Sequence, residues 1–145
     1  MPETQRFDAA ATVTVDAKPG DIWAVWVDVN AWKNWDDGVE STRLHGNFKV
    51  GNRFTLTPRG GEPLEVTLTS VTQGEEFVDE AVLPFGTIVT SHRMEPLGER
   101  ILLTHSVTAR IDDTMAPVFG KDIWPHLQRG LSEALNGLAD LVSGD

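Results

Sequence analysis

Val13 and Val15 alternate with Thr12, Thr14 and Asp16, and this period of two predicts a half-buried strand over residues 9–17. Pro19 and Gly20 break the pattern. Beyond them Ile22, Trp23, Val25, Trp26 and Val29 follow helical spacing, with Asp21 placed to cap the helix. Trp32 and Trp35 continue onto a second short helical turn that ends at Asp36-Asp37-Gly38. Alternation then returns. Strands are predicted over 39–45, 53–58, 64–72, 76–83, 87–95 and 100–111, separated by the turn signals Gly46-Asn47, Gly60-Gly61, Gln73-Gly74, Pro84-Phe85-Gly86 and Leu97-Gly98. Asp113 and Thr114 are placed to cap a turn holding Pro117, and Asp122 to cap a main helix with Pro125 in its first turn; a single kinked helix fits equally. In that helix Leu127, Leu131, Leu135, Leu138 and Val142 make an apolar stripe, which Phe119, Ile123 and Trp124 extend.

Short connections between consecutive strands argue for an antiparallel meander. One long amphipathic helix is then the cover for its apolar face. The fold class is therefore α+β, a curved antiparallel sheet around a C-terminal helix, with two short helices after the first strand. Residues 1–8 read as an N-terminal tail and 9–145 as a single domain. A curved sheet and its helix enclose a concave interior, and function is expected there. Four of the five tryptophans lie between Trp23 and Trp35 and are expected to plug one end of it.

Composition narrows the chemistry. The chain has 145 residues, 40% hydrophobic and 23% charged, which suits one core. It has no cysteine, which excludes disulfides, thiolate metal sites and a cysteine nucleophile, and it fits a reducing cytoplasm. A net charge of -10 repels phosphate backbones and anionic membranes, so no nucleic-acid partner is expected. The polar N-terminus lacks the apolar core of a signal segment, and no apolar run is long enough for a membrane span. Tyrosine is absent too, so no phenol serves as acid or base. Neither a nucleophile-elbow serine nor a phosphate-binding glycine loop appears.

The last two hairpins carry the candidate chemistry. Ile88, Thr90, His92 and Met94 share one face, as do Ile101, Leu103, His105, Val107, Ala109 and Ile111. A two-residue Leu97-Gly98 loop sets Met94 opposite Ile101, His92 opposite Leu103 and Thr90 opposite His105, so the two apolar faces coincide. The histidines then lie on a diagonal, about 7 Å apart at the backbone. A three-residue Pro84-Phe85-Gly86 loop brings Glu80 inward opposite Thr90; a two-residue loop brings Asp79 inward instead. Two neutral, hydrogen-bonded imidazoles in a mixed interior is one reading. The other is acid–base work by His92 and His105 with Glu80. A two-histidine, one-carboxylate metal site is a third arrangement, but the spacing carries no metal-specific signal, and neither metal nor cofactor is expected. Arg43 and Arg53 are expected to be solvated, and His45 and His126 to be exposed.

Residues 11–23 (ATVTVDAKPGDIW), 28–35 (DVNAWKNW), 77–84 (FVDEAVLP), the His92-Arg-Met-Glu segment, Thr104-His105 and the closing amphipathic helix resemble the START-like SRPBCC superfamily, in its polyketide cyclase/dehydratase-type branch. The resemblance covers nearly the whole chain. It implies a helix-grip fold: seven antiparallel strands wrapped around the last helix, with a deep apolar cavity between them. Members include aromatic polyketide cyclases, lipid carriers, hormone receptors and chaperone activators, so the fold alone names no chemistry. The expected function is binding of a hydrophobic, partly oxygenated ligand such as a polyketide, lipid or isoprenoid. Its lining is expected from Trp26, Phe54, Leu56, Leu68, Phe85, Thr90, His92, Leu103, His105, Trp124 and Leu127. The alternatives are a cyclase or dehydratase using His92, His105 and Glu80, and a protein-interaction module; a monomer or homodimer is expected.

Overall fold

The computed structural model describes residues 3–143. Seven antiparallel strands form one sheet: β1 (Thr4–Val15), β2 (Val39–His45), β3 (Arg53–Pro58), β4 (Leu64–Thr72), β5 (Glu76–Leu83), β6 (Gly86–Leu97) and β7 (Arg100–Asp112). Their spatial order is β1-β7-β6-β5-β4-β3-β2. Consecutive strands from β2 to β7 are neighbours, and β1 returns to pair with β7, so the meander expected from short turns is closed by one long connection. That connection holds α1 (Pro19–Val27) and a 3₁₀ turn, Val29–Asn34. After β7 come a short helix α2 (Ala116–Val118), a wide π turn (Phe119–Ile123) and α3 (Trp124–Val142). This is a helix-grip arrangement of the α+β class.

The largest departure in element bounds is at β1. It starts at Thr4 rather than at residue 9, and Thr4 to Asp8 pair with Asp112 to Thr108. Residues 4–8 of the expected tail are thus the outer part of an edge strand, anchored by Phe7, which packs on Phe119 and Trp124 with ring centroids 5.1 and 5.4 Å apart, while residues 1 and 2 lie outside the described residues. The expected caps differ as well. Asp21 lies within the first turn of α1, whose cap is Lys18, and no side chain caps α2 or α3. Asp122 sits inside the π turn, so the C-terminal segment is one helix with a bulge. Pro125 explains the bulge: it has no N–H for the Lys121 carbonyl, and its ring would crowd that carbonyl in a regular turn.

Two turns set the register. Gly98 has φ +63 and is the first central residue of a Gly98-Glu99 loop, as a II′ turn requires. The loop is therefore not Leu97-Gly98, and the register moves by two. The inward face is kept, but His92 now pairs directly with His105. At the β5–β6 hairpin the loop is Pro84-Phe85, and Leu83 pairs with Gly86. Gly86 belongs to the strand because β7 passes so close that a Cβ there would strike the Arg110 carbonyl. This register differs by one from that of a three-residue loop. Glu80 consequently lies on the outer face and Asp79 on the inner one.

The core divides in two. One cluster gathers Ile22, Trp26, Trp32, Trp35, Phe54, Leu68, Phe77, Leu103, Leu135 and Leu138. The other gathers Val107, Ala109, Ile111, Ala116, Phe119 and Trp124, with Phe7, Ile88, Leu127 and Leu131 packed against it. Helix α3 lies mainly over β1 and β7. It is seated by Gly137, where a Cβ would collide with the Trp35 carbonyl oxygen. Gly137→Ala is expected to destabilise the protein by about 1–3 kcal/mol, because backbone must move on one side. A urea midpoint equal to wild type would show that this close approach does not hold the helix.

Candidate functional site

Antiparallel pairing lays the inward side chains out in rows. One row runs Val71, Phe77, His92, His105, Ala11. The next, two residues along each strand and three along β4, where a bulge lies between Leu68 and Ser70, runs Leu68, Asp79, Thr90, Val107, Ala9. A third runs Val66, Ala81, Ile88, Ala109, Phe7. The first row is bulky and aromatic. The second and third carry alanines, a threonine and an aspartate at their centre, and they lie where the two apolar clusters part.

His92 and His105 sit in an aromatic box. The His92 ring stacks on Phe77 at 4.2 Å and 6°, and meets His105 edge-on at 4.5 Å and 68°. Trp26 stands against both, at 5.9 and 6.2 Å, while Trp32 flanks His92 and Trp35 flanks His105. Trp32 donates its indole N–H to the Trp26 carbonyl at 2.9 Å, and the Thr42 hydroxyl bonds the Val29 carbonyl, so the 3₁₀ turn is tied to the sheet. Burial holds both imidazoles neutral. It pushes His105 down to about 4, and burial together with the charge of a protonated His105 pushes His92 well below the ordinary histidine value. Four polar atoms here have no hydrogen-bond partner: Trp26 Nε1, Trp35 Nε1, His92 Nδ1 and His105 Nε2. A buried donor or acceptor left in this state costs about 1–3 kcal/mol.

Asp79 is the buried acid among the described residues, 6% exposed. It faces Leu68 on one side and Thr90 on the other, and stands diagonal to His92. Burial pushes its carboxyl up to about 8, so the acid is largely protonated at neutral pH. All twelve lysines and arginines are exposed, Arg43 and Arg53 among them, and none occupies an inward strand position. Asp79 therefore has no interior cation to balance it.

The concave face is not fully covered. Thr90 and Ile88 point inward from the third strand of the seven-strand order, yet both are only half-buried, as are Leu56, Leu64 and Leu83. Helix α3 lies over β1 and β7, so the inner face over β6, β5 and β4 is a less covered, groove-like stretch, with half-buried Thr90 beside buried Asp79. Two shallow surface depressions lie elsewhere. One of about 480 Å³ is lined by Pro125, Gln128, Arg129, Ser132 and Glu133, and one of about 130 Å³ by Glu3, Asp112, Asp113 and Thr114.

The residues expected to line one cavity are distributed over this layout. Trp26, Phe54, Leu68 and Leu103 are fully buried in the first cluster, with Leu56 half-buried against it. Trp124, Phe85 and Leu127 belong to the second cluster. Thr90 lies between the two. Glu80 is not with them: it pairs with Thr67 and Val89 and shares the outer face with exposed Val82. Asp79 takes its place, and local turn chemistry did not signal it: proline, with φ held at about −65°, is unsuited to the I′ or II′ turns usual in two-residue loops. Phe77, the stacking partner of His92, is not among the expected lining residues; it shares the inner face with Asp79 and Ala81. His45 and His126 are exposed. Among the described residues no group of three or more His, Cys, Asp or Glu is placed to hold a metal, and no helix is long and apolar enough to cross a membrane.

A family model described as "Polyketide cyclase / dehydrase and lipid transport" matches residues 6–143. No curated protein sequence matches the chain significantly. Solved structures share the fold at low identity. A truncated norcoclaurine synthase from Thalictrum flavum superposes with a TM-score of 0.74 at 15% identity, covering 98% of this chain and 96% of that one. The di-domain ARO/CYC StfQ of the steffimycin biosynthetic pathway gives 0.75 at 18%, covering 95% of this chain and 51% of that one. A hypothetical protein from Helicobacter pylori gives 0.77 at 11%, covering 97% and 89%.

Proposed function

The chain belongs to the polyketide cyclase / dehydrase and lipid transport family, and from that premise we propose that it binds a hydrophobic, partly oxygenated small molecule of the polyketide, lipid or isoprenoid kind. Family and fold together support a ligand-binding or cyclase role. The observation that carries the finer reading is the incomplete burial of the inner face at Ile88 and Thr90, continued by half-buried Leu83, Leu64 and Leu56. Ile88 and Thr90 leave apolar wall and a hydroxyl accessible beside a buried acid, which is the composition of a small-molecule site: mostly apolar, with few convergent polar groups.

The test is thermal unfolding with a panel of neutral aromatic ketones, polyphenols, isoprenoids and lipids, combined with native mass spectrometry of freshly isolated protein. A ligand that binds only the folded state adds about 2.7 kcal/mol at a hundredfold excess over its Kd, seen as a rise of several degrees in Tm. Thr90→Phe, which fills the groove floor, is expected to remove that rise. No shift across the panel and no bound mass would overturn the proposal.

One observation favours a second reading, a cyclase or dehydratase. A largely protonated carboxyl stands diagonal to an imidazole held neutral. Such a pair has its acid and base forms assigned by environment at the same pH. Asp79 would give a proton to a ligand carbonyl oxygen while His92 or His105 took one from carbon. Turnover of a β-polyketone substrate that survives His92→Gln and His105→Gln unchanged would end this reading.

A further inference from the structure

We infer that the groove selects uncharged ligands that accept a hydrogen bond, and rejects carboxylates and phosphates, with Asp79 as the selecting residue. The inference rests on the binding reading above and names its ligand class. It stands on placement. An anionic ligand group on the groove floor would meet Asp79, the one buried acid among the described residues, with every lysine and arginine of the chain out on the surface. The anion would lose its water and gain no counter-charge. A ketone, aldehyde or phenol oxygen asks far less: the carboxyl O–H of Asp79 and the Thr90 hydroxyl, adjacent across β5 and β6, donate to it. The protein's charge of -10 adds a repulsive field that acts on anions before they arrive.

The groups that face Asp79 permit no other source of charge selection. Strand β4 presents Leu68, β6 presents Thr90 and His92, and β7 presents His105 one row away. Trp26 and Trp32 lie behind the imidazoles, and α3 turns Leu127, Leu131 and Leu135 toward the sheet. The titratable members are the two histidines, neutral across the neutral and alkaline range. Between pH 6.5 and 9 Asp79 is then the group whose ionisation alters the floor, and its charged form accepts hydrogen bonds without donating any.

The matched probes 2-acetylnaphthalene and 2-naphthoate share one apolar body and differ in charge. Titrated by tryptophan fluorescence at pH 6.5, the ketone is expected to bind at least tenfold tighter than the carboxylate. Its affinity should fall about tenfold by pH 9 in the wild type, and Asp79→Asn should abolish that fall because the amide donates at both pH values. Equal affinities for the two probes, or a tighter carboxylate, would overturn the inference while leaving the groove a binding site. A wild-type ketone affinity constant from pH 6.5 to 9 would overturn the assignment to Asp79. Binding of neither probe would overturn the inference, and only if the ligand panel also gave no Tm shift and no bound mass would the binding reading fall with it.

Discussion

Asp79→Asn is expected to stabilise the protein at pH 8 by about 3 kcal/mol. The carboxyl moves from 3.8 in the unfolded chain to about 8 in the fold. Taken whole, such a shift corresponds to about 6 kcal/mol, and relaxation of the site around the charge lowers the realised figure. The sign follows from proton counting. From pH 3.8 upward the unfolded chain gives up the proton that the folded one keeps, so stability falls as pH rises and is lost through the folded value near 8. Asp36, raised to about 6 by burial and by Asp37 and Glu133, acts in the same direction over the lower part of that range. The histidines act oppositely. Their folded values lie below 6.5, so they cost stability as pH falls from 6.5 toward about 4. The groups therefore overlap below pH 6.5, and Asp79 stands alone above it. Urea unfolding between pH 6.5 and 8 is expected to show a loss of about 1–2 kcal/mol in the wild type and none in Asp79→Asn. A flat wild-type profile across that interval would mean that Asp79 is solvated, and the groove floor would have to be redrawn.

Trp26→Ala is expected to cost about 3–5 kcal/mol, the range for truncating a fully buried large aromatic. Trp26 is 0% exposed. Its ring meets Phe77, His92 and His105 at once, and its carbonyl receives the Trp32 indole. Removing it opens the wall behind both imidazoles, so their depressed values should rise toward 6.5. Two measurements separate packing from electrostatics: the urea midpoint, and the imidazole titration followed by NMR. Loss of stability with unmoved histidine titration would show that desolvation by Trp26 is not what holds them neutral.

How far the site could be read from the chain depended on the parity of two loops. The apolar alternation in β6 and β7 put His92 and His105 on one inner face whichever even register was chosen, because a slip of two residues changes partners and preserves faces. The exact partners needed Gly98 at the first loop position. In β5 the same alternation was ambiguous, since Phe77, Asp79 and Ala81 compete with Val78, Glu80 and Val82 for the interior, and both sets are mixed. A slip of one residue there exchanged Glu80 for Asp79. The half-burial of Thr90 left no mark on local sequence, because it depends on where α3 comes to rest.

Local rules decided the strands, the tryptophan-rich turn, the amphipathic C-terminal helix and the acidic, cysteine-free character of the chain. Each follows from side-chain period, turn chemistry or composition, which act over a few residues. The packed fold decided the buried acid, the direct pairing of the two imidazoles and the uncovered stretch of sheet. Those depend on desolvation and on distances between strands far apart in sequence, and such quantities exist only once the chain has closed on itself.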